Sequence, residues 1–264
     1  MAIARIVNKA LKPLGLRVVR NLDWEKLNGV APPEGMFGQP FRFREDGLCT
    51  IHNCDFITSP RFLAAYAAGE ATKSWKGWQL RWRAHVVCWA AEHANKLSGD
   101  FVECGVNRGG NARMIIEYIG GAAFAGRRFY LLDTFKGFAE QYLSESEKQS
   151  VARIYGYPDC LPAVRTTFAA FPFVAIVPGP VPDTLGEVGS SRVAFLSIDM
   201  NCAAPEVAAA EFFWPKLCPG AIVVLDDYGF KDHIEQKLAF DRFAEAKGVP
   251  LLSLPTGQGL LIKA

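Results

Sequence analysis

One ten-residue stretch, Phe101-Val-Glu-Cys-Gly-Val-Asn-Arg-Gly-Gly110, constrains the fold more than any other part of the chain. Phe101, Val102 and Cys104 form a short apolar run suited to a buried strand. Gly105, Gly109 and Gly110 let the backbone turn tightly, and Met114, Ile115, Ile116 and Tyr118 continue it as a helix with an apolar face. Strand, glycine turn and helix in that order form the ligand-binding corner of an open α/β sheet. The ligand lies at the strand's carboxyl end and the helix N-terminus. The same order also serves merely to join a strand to a helix, so the chemistry of the turn has to decide.

Glu103 stands where the pyrophosphate of a dinucleotide would approach, and a carboxylate there repels phosphate. S-adenosylmethionine has no phosphate and carries an ammonium and a sulfonium, so an acidic turn favours it over NAD. The glycines also depart from G-x-G-x-x-G, because Asn107 occupies the place of the second glycine.

The 264 residues suffice for one large α/β domain, residues 78–264, and an extension, residues 1–77. The extension is read as helical and irregular, a lid or an element for substrate or for a second copy of the chain. Its basic segment Met1–Lys12 places Ile3, Ile6, Val7 and Leu11 on one helical face, better suited to packing on the protein's own body than to a membrane surface. Residues 31–48 read as irregular loop. Cys49, His52, Cys54 and Asp55 lack the second ligand pair of a zinc site and read as packing. The net charge of +2 gives no reason to expect nucleic acid. Seven cysteines, an odd number, look like the reduced thiols of a cytoplasmic protein. No apolar run approaches the roughly 20 residues that span a bilayer, and charges interrupt Ala2–Leu16 as a signal peptide.

Helices are expected over Arg61–Gly69 and Trp78–Leu97. On the second, His85 and His93 read as surface residues, with a lid over the ligand as the sharper alternative. A second strand, Arg128–Asp133, ends in an acid placed to accept hydrogen bonds from ribose hydroxyls, and Phe135 just beyond it could offer an aromatic face. Residues 139–172 form a long, partly helical insertion of the kind that covers sites. Strands follow at Phe173–Val177, Val193–Asp199 and Ala221–Leu225, with helices at Pro205–Leu217 and His233–Lys247. Pro250–Leu254 and Gly259–Lys263 are joined by four residues, a link too short for a parallel return, so they form an antiparallel hairpin. A mostly parallel sheet ending in such a hairpin, with helices on both faces, is the Rossmann-like sheet of class I methyltransferases.

Asp199, Asp226 and Asp227 then fall at the carboxyl ends of two neighbouring strands. Three converging carboxylates repel one another unless something positive lies between them, and Mg²⁺ with its oxygen ligands is a natural occupant.

Glu103-Cys-Gly-Val, Leu132-Asp-Thr-Phe-Lys-Gly-Phe138, Asp183-Thr-Leu185, Ser197-Ile-Asp199 and Pro219-Gly-Ala-Ile-Val-Val-Leu-Asp-Asp-Tyr-Gly229 resemble the TylF/MycF (macrocin) O-methyltransferase family from about Trp78 onward. The resemblance implies S-adenosylmethionine, Mg²⁺ and methylation of a hydroxyl on a sugar or glycosylated small molecule. By position, it makes Asp199, Asp226 and Asp227 metal ligands and Asp199 a general base; apart from the resemblance, His233, just past the Asp-Asp-Tyr-Gly run, reads either as a second candidate base or as a surface residue at a helix N-terminus. The resemblance assigns the cofactor to Glu103, Gly105 and Asp133, with Val106, Asn107, Gly109, Thr134, Phe135 and Asp183 around it. One departure stands out: Asn201 replaces the acid the family usually carries two residues after the strand-end Asp. A catechol-type acceptor, a cofactor-binding protein without turnover and, more remotely, an NAD-linked oxidoreductase are the alternatives.

Overall fold

The computed structural model describes residues 39–149 and 157–264; the expected helix over Met1–Lys12 lies outside them, as does the part of the long insertion at residues 150–156. The chain divides into two compact units, up to Asn53 and from Cys54 onward. The described part of the first unit holds an antiparallel pair, β1 (Phe43–Glu45) and β2 (Leu48–Thr50), where irregular loop was expected. The reason lies in Asp46-Gly47: both residues take positive φ (50° and 73°), the backbone of a tight hairpin turn that an Asp-Gly pair adopts at little cost.

The second unit opens with helices α1 (Pro60–Glu70) and α2 (Arg81–Ala94). The glycine-turn strand is β3 (Asp100–Cys104), followed by α3 (Gly110–Ile119). Then come β4 (Phe129–Asp133), α4 (Leu161–Phe168), β5 (Val174–Pro178) and β6 (Val193–Ile198). The chain ends with α5 (Ala203–Phe213), β7 (Leu217–Leu225), α6 (Ile234–Lys247), β8 (Leu251–Ser253) and β9 (Gly259–Ile262). β7 begins four residues earlier than expected, because Leu217 and Cys218 are buried and Leu217 pairs with Val193.

Seven strands pair in the order β5-β4-β3-β6-β7-β9-β8. All neighbours are parallel except β9, which runs antiparallel to both β7 and β8, as the terminal hairpin requires. The strand order reverses between β3 and β6, the switch point where open α/β sheets bind ligands. Right-handed crossovers then put α3 and α5 on opposite faces, since β3→β4 and β6→β7 step in opposite directions. Every residue of β6 is buried, and Phe101, Phe129 and Phe195 pack together beneath the sheet's middle.

α2 is a core helix rather than a lid: Ala84, Val87, Cys88, Ala90, Ala91 and Ala94 are buried along it. Its histidines are not idle surface residues. His85 stacks on Phe56 with ring centroids 4.0 Å apart, and burial lowers its pKa; His93 Nε2 lies 3.0 Å from the Gly220 carbonyl. No helix among the described residues is long and apolar enough to cross a membrane, and all seven cysteines are free thiols.

Candidate active site

The glycine turn is fixed by its neighbours. Gly105 has φ +88°, and a Cβ on it would lie 1.8 Å from the Asp199 carbonyl oxygen, so only glycine fits where β3 leaves the sheet beside β6. Asn107 also takes positive φ, and Gly109, at φ +86°, caps α3 against the Phe168 ring.

Asp133, at the tip of β4, clasps this turn. Its Oδ2 accepts the backbone N–H groups of Val106 and Asn107, both at 2.7 Å. Its Oδ1 accepts the Phe135 N–H at 2.6 Å and the Tyr157 hydroxyl at 2.5 Å. A carboxylate offers about four lone-pair positions, and these four contacts make Asp133 the organiser of the corner. The paired phenol of Tyr157 is held in its neutral form, its pKa raised by burial and by Asp133. Phe135 departs from the aromatic face expected of it: its backbone is left-handed (φ 57°) and its ring lies fully in the core. Thr134 holds its own loop through the Gly137 carbonyl. Asp183 is exposed on the loop after β5 and accepts the Tyr142 hydroxyl.

Glu103 is 1% exposed, and its Oε2 has no hydrogen-bond partner. Burial, together with Asp133 and Asp226, pushes its carboxyl well above the usual range. A buried acid with an unsatisfied oxygen is a costly feature that a cationic ligand group would relieve.

Asp199, Asp226 and Asp227 do converge: each offers an oxygen, and these oxygens lie within 4.8 Å of one another. The register puts them there, since β6 and β7 are parallel neighbours with Ile198 opposite Leu225. Burial and the facing carboxylates of Asp226 and Asp227 hold the Asp199 carboxyl well above its ordinary range, with Arg83 acting the other way. Arg83, in the first turn of α2, was not foreseen. Its Nη1 is 2.6 Å from Asp226 Oδ2 and 3.9 Å from Asp227 Oδ1, and its guanidinium stands 4.8 Å from the Phe230 ring centre. Asn201 turns its amide nitrogen to Asp199 Oδ1 at 3.2 Å and so braces that carboxylate.

His233 is buried, and its Nδ1 pairs with Gln236 Oε1. Gln236 Nε2 donates to Glu206 Oε1 at 2.9 Å, and the Met200 N–H donates to the same oxygen. The Glu206 carboxyl is pushed up to about 8, chiefly by burial and then by Asp227. His233 thus reaches Glu206 through one intermediary, Gln236.

A sheet of this order, with a glycine corner and strand-end acids at its switch point, is the fold of a class I methyltransferase. Within it the chain belongs to the macrocin O-methyltransferase (TylF) family, which it matches over residues 79–252. It is 28% identical over 143 residues to the 8-demethyl-8-(2,3-dimethoxy-alpha-L-rhamnosyl)-tetracenomycin-C 4'-O-methyltransferase of Streptomyces olivaceus, covering 51% of this chain and 55% of that one. It is 24% identical over 142 residues to the mycinamicin III 3''-O-methyltransferase of Micromonospora griseorubida, covering 50% of this chain and 56% of that one. The matches thus span about half the length of these curated relatives. Among solved structures it resembles the O-methyltransferase NovP (TM-score 0.59, 20% identity, 69% of this chain and 79% of that one). It also resembles the calicheamicin methyltransferase CalS11 (TM-score 0.56, 19% identity, 68% of this chain and 78% of that one).

Proposed function

We propose that this chain is an S-adenosylmethionine-dependent O-methyltransferase that methylates a hydroxyl of a sugar or glycosylated small molecule with the help of Mg²⁺. The observation that carries the reading is that one family match, residues 79–252, contains both the glycine corner and the whole acid trio. The names of the two curated relatives support a sugar hydroxyl as acceptor.

The residues fit the cofactor through Glu103, whose unpartnered oxygen suits the ligand's positive charge, and through Gly105, whose missing Cβ lets β3 turn against the Asp199 carbonyl and form the corner. When bound, the cofactor supplies an electrophilic methyl group. The acid trio fits Mg²⁺ by charge: three carboxylates and Arg83 sum to minus two, which one divalent ion cancels. Asp199, Asp226 and Asp227 would hold the ion, which lowers the pKa of a coordinated hydroxyl and would favour adjacent hydroxyls that chelate it.

Asp199 is the residue placed to take the hydroxyl proton. Its carboxyl lies among those of Asp226 and Asp227 at the strand ends, where the acceptor hydroxyl would be held. Asn201 orients it, and Arg83 fixes Asp226. His233 and Gln236 hold Glu206 behind this group and act as positioning residues.

Calorimetric titration with S-adenosylmethionine and with Mg²⁺, followed by methyl transfer to vicinal-diol sugars, tests the reading. Asp226→Asn is expected to abolish the Mg²⁺ heat, keep cofactor binding and lower kcat/KM about 100-fold or more. Full activity in that variant and in EDTA would remove the metal and leave Asp199 alone; absence of cofactor binding would refute the class of reaction.

A further inference from the structure

A second charged region adjoins the glycine corner, and the chemistry above makes no use of it. A cleft of about 410 Å³ is lined by Lys73, Ser74, Lys76, Asn107, Arg108 and Tyr157. Three of these are cations, and no carboxylate lines the cleft among the described residues. None of the three forms an ion pair with a described residue, whereas Arg83 is clamped between acids. The volume is that of a small-molecule site, and three uncompensated like charges around one hollow create a field that draws in an anion.

The loop bearing the two lysines is fixed rather than loose. Lys73 and Lys76 both take left-handed backbone, at φ 63° and 50°. For a residue with a Cβ this costs about 1 kcal/mol each, so the surrounding contacts must enforce it. Ser74 Oγ accepts the Gly110 N–H at 2.9 Å, and Thr72 Oγ1 donates to the Gly69 carbonyl at 2.7 Å. The Trp75 ring stacks on Tyr66 with centroids 4.9 Å apart. The loop is thereby tied to the start of α3 beside Arg108.

We propose that this cleft is a phosphoryl-binding site. On the methyltransferase reading given above, it holds a phosphate or diphosphate carried by the glycosyl acceptor. A doubly charged phosphoryl group suits three converging cations better than a single carboxylate does, and the Asn107 side chain offers a further polar contact. The other source of an anion is the carboxylate of the cofactor, and the experiment separates the two.

The full chain, with S-adenosylmethionine saturating, is titrated calorimetrically with inorganic pyrophosphate at low and high salt. The expected result is saturable binding that weakens with salt and falls at least tenfold in Lys73→Gln/Lys76→Gln and in Arg108→Gln. Cofactor affinity should stay within twofold of the parent in the lysine double variant. Absence of pyrophosphate binding to a protein that binds the cofactor would overturn the proposal. So would competition between pyrophosphate and the cofactor accompanied by loss of cofactor affinity in the lysine variant, because the cations would then serve the cofactor's carboxylate. Failure of cofactor binding with pyrophosphate binding intact would instead defeat the methyltransferase reading and leave the phosphoryl site standing.

Discussion

The acid trio and the basic cleft both adjoin the glycine corner, and they handle charge in opposite ways. Asp226 and Asp227 are buried and receive Arg83 from α2, so part of their repulsion is offset within the fold. Lys73 and Lys76 are exposed, form no ion pair with a described residue, and are held in left-handed backbone all the same. A charge compensated inside the protein contributes to the fold as well as to the site. A charge left uncompensated at a hollow contributes little to the fold and is free to serve a ligand. The two regions therefore make unequal demands on stability, and three variants test the difference in descending order of effect.

The largest effect belongs to Arg83→Gln. Losing one partner of a buried ion pair leaves uncompensated charge, which costs about 3 kcal/mol. Urea unfolding without divalent ions should show that loss. Saturating Mg²⁺ should restore much of it, because an ion that binds only the folded state adds stability by mass action. If Mg²⁺ restores nothing, the trio is an internal salt-bridge cluster and not a metal site.

Much of this organisation was legible in the sequence, and the reason is locality. The glycine corner, the strands ending in Asp133 and Asp199, and the brief link Pro255–Gln258 are each written within a dozen residues, and each fixed one step of the topology. The convergence of Asp199 with Asp226 and Asp227 followed from strand adjacency alone. What escaped depends on contacts between distant segments. Arg83 meets Asp226 across 143 positions, and an arginine in the first turn of a helix carries no local sign of that partner. Tyr157 and the backbone of Val106 meet Asp133 in the same way, and the sequence carries no local sign of that clasp. Phe135 looked like a ligand face because aromatic residues beside a corner often are, but its left-handed backbone directs the ring into the core. Glu206 left a faint signal, an acid in the first turn of a helix rich in alanine and phenylalanine.

Glu206 supplies an intermediate case, a buried carboxyl with no cation against it among the described residues. Its folded pKa of about 8 lies above the 4.5 of an ordinary glutamate. Between those values the folded protein keeps a proton that the unfolded chain releases. The stabilisation from this group is therefore full below the lower value and is lost as pH rises through the upper one. Glu206→Gln keeps an oxygen for the Met200 N–H and cannot ionise. Its unfolding free energy should fall less than the parent's between about pH 6 and about pH 9, the gap reaching about 2 kcal/mol. Parallel pH profiles would mean that Glu206 is ionised in the fold and compensated by something other than a proton.

The smallest effect is expected at the basic cleft, and it is the sharpest form of the comparison. Lys73→Gln/Lys76→Gln removes two charges from a site with no internal counter-charge, so its stability should stay within about 0.5 kcal/mol of the parent in urea unfolding. Relief of like-charge repulsion should, if anything, shift it upward, more so at low salt, where that repulsion is least screened. The same change at Arg83 removes only one charge and is expected to cost several times as much. A large destabilisation in the lysine variant would mean that the cations support the loop that presents them, and the division between a compensated acid site and a ligand-facing basic one would fail.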